Sequence, residues 1–453
     1  MSSSMAITLS DDRYRRDLGD DVVLRWSTAD DVARIGDLYA QVFRHGPDDP
    51  PNALMGTWTR DMMSGRHPLI GATDFAVVER PGDGTIVAST CLLSEVWTYD
   101  GVDVPVGRPE VVATRQEYRN RGFIRAIFEL IHARSLSLGH LAQGITGIEY
   151  YYRQFGYDYA LDLGGNRSLP LSAIPRLKEG EAEPFRLREA TLDDIPTLRA
   201  LYDRDRAYAL TSTRIDDEYW RWMLVGANPD AAERWRIYVI TGGEERAVGY
   251  VIAARRAWRD LFNVGATRVA EGVSLAGVLP SVLRALREVA TTAPRRPDTE
   301  PPTTLTFTMG REHPVYEALG DLLPPARRRP YPWYVRVPDL PAFLRRIAPV
   351  LERRLRDSVV AGYSGAVTLD FYRGGLRLVF ADGQLRTAED WRRGAWDRPD
   401  GGFPPGVFLQ LLFGYRGLDE LRDTFPDVQA ADAAVPLLRA LFPPRPSWVV
   451  PLD

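Results

Sequence analysis

Cysteine is nearly absent. Cys91 is the only one in 453 residues, so an intramolecular disulfide is excluded and no thiolate set exists for a structural metal. Cys91 lies in the apolar run Ile86 to Leu93 and reads as a small buried residue rather than a nucleophile. Histidine is also scarce: His45, His67, His132, His140 and His313 never fall at a paired ligand spacing, and no metal is expected. No apolar run approaches the roughly 18 residues that would span a bilayer, so no membrane association is expected. The first residues turn acidic without a basic segment followed by an apolar one, which reads as a flexible tail rather than an export signal. Together these features predict a cytoplasmic protein. Lysine is rarer still, with Lys178 alone, and arginine carries the positive charge. The net charge of -4 argues against nucleic acid as a partner, because phosphate binding needs a basic surface.

What is present is enough apolar sequence for several cores, since 453 residues exceed a single domain. The chain also repeats itself. Leu24 to Tyr39 reads LRWSTADDVARIGDLY and Leu187 to Tyr202 reads LREATLDDIPTLRALY, with seven of sixteen positions identical. Each copy predicts a short strand, a threonine cap, two acidic residues in the first helical turn and apolar residues at helical spacing. The expected organisation is a tail over 1–20, one domain over 21–165, a linker over 166–183, a second domain over 184–335 and a third over 336–453. The stretch from Leu322 to Pro341, rich in proline and arginine, reads as a break. In the last region, alternating segments around Arg373-Gly374-Gly375 predict a hairpin, with helices near 407–413 and 433–442.

Chemistry concentrates in the first repeat. A strand expected over 104–114 runs through Arg119-Asn120-Arg121-Gly122-Phe123-Ile124-Arg125 into a helix whose apolar positions Ile124, Ile127, Phe128 and Ile131 have a 3.6 period. A basic, glycine-containing turn at a helix N-terminus offers free N–H groups, the positive dipole end and arginines to a pyrophosphate. About thirty residues later comes Tyr152-Arg153-Gln154-Phe155-Gly156-Tyr157.

Val111-Val112-Ala113, Arg119 to Arg125 and Tyr152 to Tyr157 resemble, in order and distance, the motifs of the GNAT N-acetyltransferases. Ile124 departs from the Gly or Ala common there. The layout of the whole chain is similar to that of the Eis-like subgroup. That resemblance implies an α/β (α+β) protein: two tandem GNAT-like mixed-sheet domains followed by an α+β sterol-carrier-like domain. It also implies an acetyl-CoA-dependent N-acetyltransferase that acts on an amino group of a small molecule or a lysine side chain. Acetyl-CoA would be a co-substrate, bound by the backbone of Val112, Ala113 and Thr114 and by Asn120, Arg121, Gly122, Phe123, Ile124 and Arg125. Tyr152 would be the general acid, protonating the departing thiolate. The C-terminal carboxylate, here that of Asp453, would be base or amine anchor, with Glu110 its rival. A homo-oligomer, a hexamer in that subgroup, is implied too.

Trp58 and Asp61 are further candidate acceptor contacts, and Tyr150 and Tyr151 are expected to alternate between core and pocket wall along a strand. The second repeat lacks an arginine fork, and His313 to Gly320 keeps only a Y-x-x-x-G skeleton, so it reads as a copy without a donor site. The alternative is a lipid- or sterol-binding or ligand-sequestering protein whose third domain holds an apolar ligand.

Overall fold

The computed structural model describes residues 8–165, 167–232, 235–295, 300–325 and 331–449. Its strands form three sheets flanked by helices, a mixed α/β architecture. The first sheet runs in the order Arg15–Asp17, Val23–Trp26, Phe75–Arg80, Thr85–Tyr99, Val102–Thr114, Ala142–Ile145, Tyr331–Arg336 and Asp158–Leu163. A short strand, Thr211–Thr213, pairs with the far end of Thr85–Tyr99. Neighbours are antiparallel except Val102–Thr114 and Ala142–Ile145, which run parallel and are joined through the helix Phe123–Ser137.

The strand Tyr331–Arg336 corrects one expectation. It falls in the stretch read as a break, yet it fills the place between Ala142–Ile145 and Asp158–Leu163. Pro332 argued against a strand because proline donates no ladder hydrogen bond. Here the ladder slips at the next step, between Trp333 and Tyr334, and Trp333, Tyr334 and Val335 are fully buried. The second sheet receives a strand in return. Arg167–Pro170 pairs with Thr304–Phe307, and the order continues through Leu261–Val269, Ala247–Ala254, Trp235–Thr241 and Arg186–Glu189.

Both repeats open as their sequence predicts. Thr28 and Asp31 cap reciprocally before the helix Val32–Val42, as do Thr191 and Asp194 before Ile195–Arg206. In each, an arginine from the preceding strand grips the capping aspartate: Arg25 on Asp31 at 2.7 Å and 2.8 Å, Arg188 on Asp194 at 2.7 Å. The third sheet contains the expected hairpin, Gly365–Asp370 with Gly375–Ala381, and helices Val407–Leu412 and Val435–Leu441. Its core is continuous with that of the first sheet: Leu369, Leu378, Leu411 and Leu438 pack in one cluster with Trp97, Val106 and Trp333. No described helix is long and apolar enough to cross a membrane.

Candidate active site

The strands Val102–Thr114 and Ala142–Ile145 pair only through Val106 with Ala142 and Gly107 with Gln143. Beyond that point they part. Two residues of the long strand, Val111 and Val112, stand opposite the single Thr90, and Val111 takes a left-handed φ of 51°. This bulge bends the strand, and it breaks the simple alternation that would hold Val111 and Val112 on opposite faces. Both line the resulting cavity of about 290 Å³, together with Glu110, Trp58, Ile145 to Ile148 and Tyr152.

The edge of the long strand is left open towards that gap. Arg115 N–H donates to Val87 O at 2.9 Å, so by alternation the backbone groups of Val112 and Thr114 point to the open side. Ala113 is paired with Ser89, and its side chain is buried. The chain then turns through Gln116–Tyr118 and Asn120 into the helix Phe123–Ser137. Asn120 and Gly122 have φ of 63° and 79°, a conformation glycine adopts without a Cβ penalty. No side chain caps this helix, so the N–H groups of Phe123, Ile124 and Arg125 are without a capping acceptor, an arrangement that could hold an anion. A Cβ at Gly122 would meet nothing within 4 Å, so the approach is unobstructed. Arg121 lies over Tyr118, 5.0 Å from the ring centroid.

Tyr152 comes from a short helix, Tyr151–Phe155, between two left-handed residues, Tyr150 and Gly156. Tyr150 and Tyr151 are therefore not on a strand as expected. Tyr150 is exposed, and its N–H donates to Tyr159 Oη at 2.9 Å. The two motifs spaced thirty residues apart meet here. Phe155 stacks on Phe128 of the helix Phe123–Ser137, with ring centroids 4.4 Å apart and 7° between planes, and Arg125 donates to Gln154 Oε1 at 3.0 Å. The Tyr152 ring is held among Phe128, Tyr151, Tyr157 and Tyr334, while its hydroxyl makes no hydrogen bond among the described residues. That hydroxyl lies beside Gly147, where a Cβ would stand 3.7 Å away. Burial raises the phenol well above its ordinary value, and the charge of Glu110 adds to this.

Glu110 is held by Arg108, whose Nε donates at 2.8 Å, and the same buried guanidinium reaches Glu95 at 3.0 Å. Glu95 in turn accepts from the Trp97 indole at 2.8 Å. The carboxylate at the mouth of the cleft is thus fixed in place by a buried network. Trp58 lines the cavity as expected. Asp61 does not: its carboxylate accepts from Asn228 N–H at 2.7 Å and ties down a loop of the second sheet. Ala232 from that loop completes the wall, its N–H donating to Leu54 O at 3.2 Å. Asp453 lies outside the described residues. Sequence reasoning missed Tyr334, whose hydroxyl donates to the carbonyl oxygen of the lining residue Ile148 at 3.1 Å.

Residues 24–160 match the family model of the acetyltransferase (GNAT) domain. No curated protein matches the sequence. Among solved structures, a probable N-acyltransferase from Enterococcus faecalis shares 16% identity over 95% of this chain and 100% of its own, with a TM-score of 0.67. Eis1 from Mycobacterium abscessus shares 14% identity over 94% of this chain and 98% of its own, with a TM-score of 0.58. The N-myristoyltransferase of Saccharomyces cerevisiae with bound myristoyl-CoA shares 9% identity over 74% of this chain and 82% of its own, with a TM-score of 0.50. Fold likeness thus extends over most of the chain, and the region from 24 to 160, which carries the cleft, matches the model of the GNAT acetyltransferase domain.

Proposed function

We propose that this protein is an N-acetyltransferase that moves an acetyl group from acetyl-CoA to an amino group of a small molecule or a lysine side chain. The observation that carries the reading is the unbonded Tyr152 hydroxyl in a cleft flanked by an open strand edge and an uncapped, arginine-bearing helix start. Pantetheine amides would pair with the Val112 and Thr114 backbone as an added strand. The pyrophosphate would rest on the N–H groups from Asn120 to Arg125. An alkyl amine has a pKa near 10.4, so only about one part in a few thousand is free to attack at neutral pH. A carboxylate, that of Glu110 or of Asp453, would take the proton as nitrogen attacks the thioester carbon. The C–S bond then breaks, and Tyr152 protonates the leaving thiolate. Homo-oligomeric assembly and a cytoplasmic setting belong to the same reading.

Calorimetric titration with acetyl-CoA tests it. The native protein and Tyr152→Phe should bind at micromolar concentration, and Gly122→Glu, which places a carboxylate in the cradle, should lose binding at least tenfold. Absence of binding by the native protein would reject the reading.

A further inference from the structure

A second splayed cleft lies in the second sheet. Leu261–Val269 and Thr304–Phe307 run parallel and pair as far as Val264 with Phe307, then separate around a cavity of about 430 Å³. The motif that follows repeats the first: Tyr316 and Gly320 stand as Tyr152 and Gly156 do. The chemistry does not repeat. Tyr316 Oη donates to Gly310 O at 3.1 Å and accepts from Met309 N–H at 3.2 Å, so its proton is committed to the backbone.

What the cavity offers instead is cationic and N–H-bearing side chains. Arg167, Arg268 and His313 line it, and the Nε atoms of both arginines and the Nε2 of His313 are buried with no hydrogen-bond partner among the described residues. His313 Nδ1 accepts from Val315 N–H at 3.2 Å, which places the ring proton on Nε2 as a third donor. Burial, with the nearby Arg268 charge, lowers this histidine to about 3, so it is neutral at physiological pH. Arg167 has no ion pair among the described residues and lies over the Tyr316 ring at 5.4 Å. The carboxylate of Asp205 is bound to Arg268, and Arg311 is bound to Asp162 at 3.0 Å, while Glu312 and Glu317 are exposed at the rim. Buried donors left unmet are destabilising, and an anionic oxygen would satisfy them. The remaining wall is apolar, with Tyr208, Met309 and Trp448.

We propose that this second cleft binds a small amphipathic carboxylate, its oxygens on Arg167, Arg268 and His313 and its apolar body against Tyr208, Met309 and Trp448. The site is separate from the acetyl-CoA cleft and makes no use of Tyr316 as an acid.

Benzoate titrated into the full-length protein, followed by tryptophan fluorescence and calorimetry, tests this. The expected result is saturable one-to-one binding, weakened at least tenfold in Arg167→Gln and unchanged in Gly122→Glu. Benzamide, the neutral analogue, should bind at least tenfold more weakly to the native protein, a comparison that needs no variant to fold. Equal binding of benzamide, indifference to Arg167→Gln, competition by acetyl-CoA, or binding of inorganic phosphate but not benzoate would each overturn the proposal.

Discussion

Tyr152 and Tyr316 occupy matching places in matching motifs, and the difference between them is where the hydroxyl proton goes. The first has no acceptor among the described residues and faces the cleft beside Gly147. The second is bonded on both sides to backbone. Tyr152→Phe should therefore lower kcat on the order of a hundredfold, the usual contribution of one proton-transfer group, with the acetyl-CoA Kd unchanged. Tyr316→Phe should leave kcat within about twofold and act on stability. The pH profile follows from the same geometry. Burial and the Glu110 charge disfavour the phenolate, so Tyr152 keeps its proton beyond the ordinary phenol range near 10. The acceptor ammonium loses its proton as pH rises, so kcat/KM should climb through pH 9 with no alkaline fall before pH 10. A descending limb below pH 10 would show that Tyr152 is not shielded in this way.

The two capped helices offer an internal comparison. Arg25 and Asp31 are almost wholly buried, with side chains 7% and 0% exposed, whereas Arg188 is 44% exposed. Removing Asp31 leaves the buried Arg25 with Glu79, 2.6 Å away, as its remaining carboxylate, whereas removing Asp194 leaves Arg188 solvated. Asp31→Ala, which removes the cap and one of the two carboxylates on Arg25, should weaken protection of Val32–Val42 by about 2 kcal/mol, on the order of thirtyfold in hydrogen exchange. Asp194→Ala should cost the helix Ile195–Arg206 about 1 kcal/mol, the loss of a cap. Both helix starts were legible because capping is local grammar: Thr28 and Asp31, like Thr191 and Asp194, are three residues apart. The meeting of Arg125 with Gln154 was legible too, through the spacing of two motifs. The bulge at Val111 was not, because valine carries no preference for a left-handed φ, and the partner strand imposes it. Tyr334 was hidden because its contacts with Ile148 and Tyr152 span about 180 residues and depend on a strand whose proline reads as a breaker.

At the scale of the whole molecule, the exchange of strands makes the first and second sheets mutually dependent. The strand Tyr331–Arg336 buries Trp333, Tyr334 and Val335 inside the first sheet, next to the wall of the cleft. A fragment over 8–165 retains every motif from Val111 to Tyr157 and lacks that strand. It should be protease-sensitive and bind acetyl-CoA at least tenfold more weakly than the full chain. Co-expression with the remainder should restore both properties, and a stable, fully binding fragment would contradict this dependence. Synthesis on the ribosome adds an order in time. Leu163 emerges about 170 residues before Tyr331, on the order of ten seconds at ordinary elongation rates. Throughout that interval the nascent chain holds two unpaired strand edges facing an empty lane, the geometry most prone to pairing with a neighbouring nascent chain. Slowing elongation between these points, by synonymous codons alone, should therefore lower the soluble yield without changing a single residue of the product.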